Sequence, residues 1–180
     1  FIGALAYDSI NNGMWIGANQ GLFFYDLKHK QLCSPFANRA AEDIRGCIGS
    51  IIDKNGQLWI GCLDGVYIID LHSRPASSSD GVFRYRHLKY KLDDPSSGLI
   101  EKICCFYEAQ DGILWLGSNG YGIYKCMQDE RGEVQFICYN SLHGLPDNSI
   151  RGILEDDKGY IWIATNNGLS RFQPTENHFI

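Results

Sequence analysis

One short unit recurs four times in this chain, and it constrains the fold more than any other feature. The unit is a polar turn, a strand that contains Trp, a tight turn marked by Gly, and a second apolar strand. Its clearest copy is DKNGQLWIGCLDGVYIID at residues 53–70, and near-copies surround Trp15, Trp115 and Trp162. The four tryptophans are spaced by 44, 56 and 47 residues. A repeat of this length with several strands per copy is typical of a β-propeller.

The strand that carries each Trp is predicted to be covered on both faces. Side chains alternate along a strand, so each Trp shares its face with the residue two places later. That residue is Gly in the first three repeats and Ala164 in the fourth, which places a notch beside a large ring. The opposite face carries Ile or Leu in every repeat. Apolar side chains on both faces indicate packed neighbouring blades rather than four unrelated hairpins.

The whole chain divides into four repeats of four strands, which we label A to D. The repeats cover residues of about 1–37, 44–88, 99–140 and 149–180, and no helical periodicity interrupts them. We therefore predict an all-β fold: about four four-stranded antiparallel blades in one segment, 1–180, of a larger propeller of about seven blades. The low-complexity stretch HSRPASSSDG, between strands C and D of the second repeat, is interpreted as a surface insertion.

The strand order also predicts where a ligand binds. The B–C turns and the D–A crossings lie at one end of the blades, the near face; the A–B and C–D turns lie at the far face. Near-face loops ring the central channel of a propeller, where ligands commonly bind. The candidate ligand-binding residues carry amide, aromatic or cationic groups suited to carbohydrate: Asn19, Arg39, Asn119, Tyr121, Asn166 and Asn167. The alternative for each Asn is structural, because tight turns favour Asn for its backbone dihedral angles.

Charge and hydropathy exclude two classes of partner. The net charge is −5 without any run of Lys or Arg, which argues against nucleic acid, since phosphate binding needs a basic surface. No apolar run approaches the ~20 residues that a membrane-spanning helix requires. The chain begins at Phe1 within a strand-like run, so we expect it to be a piece of a longer protein.

No catalytic, metal-binding or cofactor-binding residue is predicted. The five His lack metal-ligand spacing, and no Ser or Cys nucleophile has a recognisable partner. Glycoside hydrolysis needs two carboxylates at a defined separation, and the near-face acids are interpreted as solvated. They are Asp64, Asp93, Asp94 and Asp147. Asp157 and Gly159 before Trp162 fit half of the Asp-box turn of sialidase propellers, which we interpret as structural.

The seven cysteines are expected to act mainly as small buried hydrophobic residues. They contain no Cys-x-x-Cys pair and no spacing suited to zinc, and most of them fall within strand-like runs. An odd count leaves at least one thiol free. Taken alone, this favours a reducing compartment.

The fourth repeat closely resembles the two-component regulator propeller repeat. Four of its segments match that pattern: Leu145–Asn148, Asp157–Gly159, Trp162–Thr165 and Asn167–Leu169. Residues 91–125 match it with a longer Gly-rich turn. The first two repeats match more loosely, because the turn before Trp15 is one residue short and Cys62 replaces the usual Thr.

This resemblance implies a role in sensing. Similar repeats occur in the periplasmic sensor region of hybrid two-component systems, whose ligand is typically an oligosaccharide. It implies a periplasmic location, despite the cysteines, in a parent protein anchored in the inner membrane. The kinase activity lies in other domains of that parent, so this chain is expected not to be an enzyme. The alternatives are a propeller for protein interaction or dimerisation, and a glycan-active lyase or hydrolase.

A fragment of a propeller is also expected to leave apolar blade faces uncovered. Such faces recruit partners. We therefore predict either self-association through the Trp15 side or the Trp162 side, giving a homo-oligomer, or closure of the chain into a small four-bladed ring.

Overall fold

The computed structural model describes residues 1–36, 44–74, 82–89, 102–128 and 133–180. In this part of the chain the regular structure is strand, apart from two short 3₁₀ turns at Leu71–Ser73 and Ser141–His143. The chain divides into two compact units, Phe1–Leu88 and Lys89–Ile180. Each unit contains two four-stranded antiparallel sheets. The predicted all-β fold with four such sheets is confirmed, whereas the repeat boundaries and the single segment 1–180 stay predictions.

Unit 1 contains sheets 1 and 2, in which the strands follow chain order. Sheet 1 consists of β1 (Ile2–Asp8), β2 (Gly13–Ala18), β3 (Gly21–Asp26) and β4 (Gln31–Cys33). Sheet 2 consists of β5 (Gly49–Ile52), β6 (Gln57–Cys62), β7 (Gly65–Asp70) and β8 (Arg84–Leu88). They correspond to the predicted strands A to D, although β5 begins later than expected. Residues 75–81 of the predicted insertion lie outside the described residues.

Unit 2 contains sheets 3 and 4, again with neighbouring strands consecutive in sequence. Sheet 3 consists of β9 (Ile103–Glu108), β10 (Leu114–Ser118), β11 (Ile123–Gln128) and β12 (Val134–Tyr139). Sheet 4 consists of β13 (Ile150–Glu155), β14 (Ile161–Thr165), β15 (Gly168–Gln173) and β16 (His178–Phe179).

Both units are assembled by the same packing rule. The face of the earlier sheet that carries Trp packs against the face of the later sheet that does not. In unit 1, Trp15 contacts Phe83 edge-on, with ring centroids 4.8 Å apart. In unit 2, Trp115 contacts Phe172 in the same manner, with centroids 5.3 Å apart. Both tryptophans are about 1% exposed, so each is a central member of its core.

The notches beside Trp15 and Trp115 each admit a side chain from the neighbouring sheet or from the segment that leads into it. A Cβ atom on Gly17 would lie 2.7 Å from Cβ of Cys47, just before β5. A Cβ atom on Gly117 would lie 2.7 Å from Cγ2 of Ile150, the first residue of β13. These distances are too short for two carbon atoms. Gly at this position therefore lets the first strand of the next sheet approach closely.

The turn before Trp15 differs from the sequence-based expectation. The pattern of a polar turn that ends in Gly predicts that Gly13 ends this turn with a positive φ, as Gly56 does at 71° in sheet 2. Instead the positive φ falls on Asn12, at 49°, and Gly13 is the first residue of β2. A Cβ atom on Gly13 would collide with the ring of Phe24, at 2.1 Å. Gly13 thus serves packing. The turn before Trp15 is one residue longer than its counterparts, not shorter as the sequence suggested: Asp8 pairs with Gly13 across four residues, whereas Asp53 and Gln57 enclose three.

Each unit has one sheet face with exposed apolar side chains. In sheet 4 this face carries Trp162, with Leu154 and Leu169 about 60% exposed on either side. In sheet 1 the exposed face carries Leu5 and Tyr7. It is opposite to the face that carries Trp15, which is buried. The first and last sheets therefore both expose apolar residues, although in sheet 1 they lie on the face opposite to Trp15. Self-association and closure into a small ring stay predictions.

Candidate functional site

The predicted ligand-binding residues fall on turns, as expected, but in separate units. Asn19 follows β2 in unit 1 and is exposed. In unit 2, Asn119 follows β10, and Asn166 and Asn167 connect β14 to β15; all three are exposed, whereas Tyr121 is half-buried. Arg39 lies outside the described residues. Their role in ligand binding stays a prediction.

In unit 2 a short crossing segment brings two of these turns together. The N–H groups of Gly120 and Gly122 donate to the carbonyl of Asn148, at 3.2 and 2.8 Å. The N–H of Asn166 donates to the carbonyl of Ser149, at 3.0 Å. Asn119 also forms an isolated bridge with Ser149. The near-face loops of unit 2 therefore form one continuous polar surface rather than separate hairpin tips.

Side-chain contacts show which groups on this surface are already engaged. Asn166 Oδ1 accepts from Arg151 Nε at 2.6 Å. The ammonium of Lys102 lies 5.7 Å from the centre of the Tyr121 ring, within the range of a cation–π contact. Lys102 and Tyr121 therefore place a cation and an aromatic ring next to each other at this surface. A cation donates hydrogen bonds to hydroxyl oxygens, and an aromatic ring packs against C–H groups.

The structural alternative for the near-face Asn residues does not hold. Among the described residues, the non-glycine positions with positive φ are Asn12, Lys30, Lys102 and Asn177. Asn19, Asn119, Asn166 and Asn167 are not among them. The left-handed conformation in these turns is taken by the glycines that follow, such as Gly168 at 122°. Backbone strain therefore does not explain the Asn residues at the near face.

Within each unit taken by itself, the described near-face carboxylates do not form a pair for glycoside hydrolysis. Asp93 and Asp94 lie outside that part of the chain. Asp64 belongs to unit 1, where its Oδ2 lies 3.3 Å from the Tyr67 hydroxyl. Asp147 belongs to unit 2, where its Oδ1 accepts from the Ser149 N–H. Both acids are engaged in local hydrogen bonds.

A second set of polar contacts lies at the far face, and sequence reasoning missed it. Three of the four tryptophans donate their indole N–H to a carboxylate at the start of the A–B turn. Trp15 donates to Asp8 at 3.1 Å, Trp59 to Asp53 at 2.8 Å, and Trp162 to Asp156 at 2.7 Å. The same acids accept backbone N–H groups of their turns, such as those of residues 55 and 57 for Asp53. The acid therefore ties the turn to the core.

In sheet 4 the hydrogen bonds to the acid also lower its pKa. The pKa of Asp156 is lowered mainly by the hydrogen bond from Trp162, with further contributions from backbone N–H groups of its turn. Asp157, which the Asp-box comparison singled out, is exposed and makes no such bond. The structural acid thus precedes the predicted one by one residue.

Sheet 3 lacks this acid, and a cavity occupies the region beside it. Ala109 takes the position, and its turn keeps the same backbone bond: its N–H donates to Ile113 at 2.9 Å, as that of Asp53 does to Gln57. A cavity of about 330 Å³ opens at the far face of unit 2, lined among others by Ala109, Trp115 and Tyr160. This volume lies at the lower end of small-molecule sites.

The described residues contain no group of three or more His, Cys, Asp or Glu side chains that could hold a metal ion. Within the same ranges, no helix has the length and apolar character needed to cross a bilayer.

The comparisons with known proteins agree with the resemblance found in the repeats. Residues 144–167 match the family model described as two component regulator propeller. The chain is similar to the extracellular domain of BT4673 from B. thetaiotaomicron, a protein assigned to the hybrid two-component systems. The identity is 25% and the TM-score 0.68, covering 99% of this chain and 21% of that one. The resemblance predicted from the repeats is therefore confirmed. No curated protein sequence matches the chain.

Two further solved structures share the fold. The extracellular domain of BT3049 from the same organism, with the same assignment, is 23% identical with a TM-score of 0.71, covering 99% of this chain and 22% of that one. Virginiamycin B lyase from Staphylococcus aureus is 16% identical with a TM-score of 0.60, covering 99% and 54%. At these identities the likeness shows the fold alone. The chain spans about a fifth of the length of the two-component relatives.

Proposed function

We propose that this chain is part of the ligand-sensing region of a hybrid two-component sensor, and that it binds an oligosaccharide in the periplasm. The observation that supports this most is the 25% identity to an extracellular domain of such a system over 99% of the chain. The signal passes to a kinase in other domains of the parent protein. The chain itself acts by binding rather than by chemistry.

The polar near-face surface of unit 2 supports oligosaccharide as the ligand class. It combines exposed amides, the half-buried ring of Tyr121 and the cation of Lys102. Sugars present hydroxyl groups at their edges and C–H groups on their faces, which amides and aromatic rings complement. Isothermal titration calorimetry with a panel of oligosaccharides tests the proposal. We expect saturable heat with at least one glycan and no product.

Variants identify the surface that binds. Asn119→Ala and Tyr121→Ala each remove a near-face group, and we expect each to weaken binding about tenfold, the effect of one good contact. Asp157→Ala at the far face is the matched control and is expected to bind as the original chain does. Heat from no glycan in the panel would refute the sensing role, and product formation would favour a lyase or hydrolase.

A propeller for protein interaction is the second candidate, and the exposed face of sheet 4 favours it. Leu154 and Leu169 flank Trp162 on that face. Light scattering at several protein concentrations tests it. A molar mass that rises with concentration, and falls back in Leu154→Asp, would support an interaction role through this face.

A further inference from the structure

The cavity at the far face of unit 2 contains an unsatisfied hydrogen-bond donor. The Trp115 side chain is about 1% exposed, and its indole N–H has no acceptor among the described residues. Within those residues, Gln57 Oε1 is the only fully enclosed side-chain nitrogen or oxygen without a partner. The Trp115 nitrogen is therefore accessible. This nitrogen opens to the cavity that Trp115 lines, at the position where the other sheets place a carboxylate.

A second donor is left without an acceptor in the same turn. In sheets 2 and 4 the acid also accepts the backbone N–H two residues later: Asp53 binds that of Asn55 at 3.0 Å, and Asp156 binds that of Lys158 at 2.9 Å. The corresponding group in sheet 3 is the N–H of Asp111, which has no acceptor among the described residues. In those sheets the backbone N–H binds Oδ1 of the acid and the indole N–H binds Oδ2. Loss of one acid thus frees two neighbouring donors, each of which needs an acceptor oxygen.

The charges around the cavity select against an anion at that position. Asp111 and Glu155 both line it, against a single cation, Lys158. Each carboxylate is held by one backbone bond: Asp111 Oδ1 accepts from Ile113, and Glu155 Oε2 accepts from Gln110. The second oxygen of each remains available to accept a hydrogen bond. A carboxylate or phosphate ligand would meet net repulsion here.

Neutral hydroxyl groups complement both the two N–H donors and the two carboxylate acceptors of this cavity. Two hydroxyl oxygens of one sugar accept from the Trp115 and Asp111 N–H groups, while other hydroxyls donate to the two carboxylates. Tyr160 and Pro174 add apolar walls for C–H groups, and the guanidinium of Arg171 lies 4.3 Å from the centre of the Tyr160 ring. We propose that this cavity binds one neutral sugar residue, with hydroxyl oxygens in the place of the two carboxylate oxygens of the missing aspartate. The ligand class rests on the proposed function, whereas the position rests on the cavity alone.

The indole signals provide a direct test of this site. The chain has four tryptophans, so a ¹⁵N spectrum shows four indole N–H signals, and Trp115→Phe identifies one of them. The probes are the methyl glycosides of glucose, galactose and mannose, with sodium acetate as the anionic comparison. We expect the Trp115 signal to shift saturably with at least one glycoside, while the other three indoles stay unchanged. The proposal would be overturned if acetate shifted the Trp115 signal and the glycosides did not, or if no probe shifted it.

A variant that introduces the missing acid at position 109 completes the test. Ala109→Asp supplies an internal acceptor in a turn that already has the required backbone geometry, and we expect it to weaken glycoside binding about tenfold or more. Lys28→Ala, which removes an exposed side chain of unit 1, is the control and is expected to change the affinity less than about twofold. Urea unfolding checks that both variants are folded.

The two proposals fail in different ways. If oligosaccharides bind in calorimetry but Ala109→Asp has no effect, the cavity site is wrong and the sensing role stands. If glycosides shift Trp115 but no oligosaccharide of the panel gives heat, the cavity stands and the sensing role is refuted. If neither experiment detects a sugar, both proposals are wrong.

Discussion

The two units pack their sheets around Trp in the same way but differ in the carboxylates that accept the indole N–H groups at the far face. In unit 1 both indole N–H groups donate to an acid, and both acids, Asp8 and Asp53, are buried. In unit 2 one indole, that of Trp115, has no acid, and the acid of the other, Asp156, is half-buried. The comparison teaches that the sheets do not need the acid in order to form. The acid ties the turn to the Trp of its sheet, and in sheet 3, where the acid is missing, a cavity lies beside the turn.

The strongest test of this comparison removes the buried acid of unit 1. Asp53→Ala leaves the indole N–H of Trp59 and two backbone N–H groups without an ionised acceptor. Buried donors that lose a charged partner cost about 1–3 kcal/mol each, and we expect a total loss of about 3 kcal/mol in the free energy of unfolding. Urea unfolding followed by circular dichroism measures it. Asp157→Ala, which removes an exposed acid, is the control; equal effects of the two variants would show that the indole bond is unimportant.

A second test uses the acid response of unit 1. Asp26 lies at the end of β3, where the N–H of His29 donates to its Oδ1 at 2.9 Å and Arg74 approaches Oδ2 at 3.4 Å. The backbone bond from His29 is the main cause that lowers the pKa of Asp26 to about 2. A lowered pKa contributes stability that is present above the ordinary value of 3.8 and lost as the pH falls towards 2.

We therefore expect Asp26→Asn to lower the free energy of unfolding by about 1–2 kcal/mol at pH 7, and by much less near pH 2. Urea unfolding at a series of pH values provides the measurement. A deficit that does not depend on pH would mean that the carboxylate charge plays no part in holding this turn.

The third test converts unit 2 towards unit 1. Ala109→Asp places an acceptor next to Trp115 in a turn that already has the matching backbone bond. We expect the free energy of unfolding to rise by about 1 kcal/mol, the net value of one hydrogen bond with a charged partner after desolvation. Ala109→Asn, which supplies a neutral acceptor, should give a smaller gain. A loss of stability in both variants would show that the cavity, rather than the missing acid, is what this turn requires.

The sequence predicts the fold well because the fold depends on a repeated local pattern. The spacing of Trp and Gly identifies the central strands, and the predicted notches at Gly17 and Gly117 lie where the next sheet approaches. The acids escaped notice because turn length changes their offset: Asp8 precedes its Trp by seven residues, whereas Asp53 and Asp156 precede theirs by six. Only a three-dimensional arrangement shows that they occupy equivalent positions.

The same limit applies to the candidate sites. Chain order places Asn119 and Asn166 at the near face, but the crossing segment that joins their turns follows from hydrogen bonds that no spacing reveals. The far-face cavity was beyond prediction, because it arises from an absent side chain. In the sequence, Ala109 carries no signal of a site, because its importance follows only from comparison with the acids at the equivalent positions of the other turns.

The smallest expected effect concerns the acid that remains in unit 2. Asp156 is half-buried, so water partly replaces its hydrogen bonds when it is removed, and Asp156→Ala should destabilise the chain less than Asp53→Ala. The hydrogen bond from Trp162 lowers the pKa of Asp156, so its contribution is present above pH 3.8 and declines as the pH falls below that value. The stability difference between the original chain and Asp156→Ala should therefore shrink from pH 7 to pH 3. A difference that grows over this range would reverse the sign of the linkage and show that the ionised acid does not accept the indole bond.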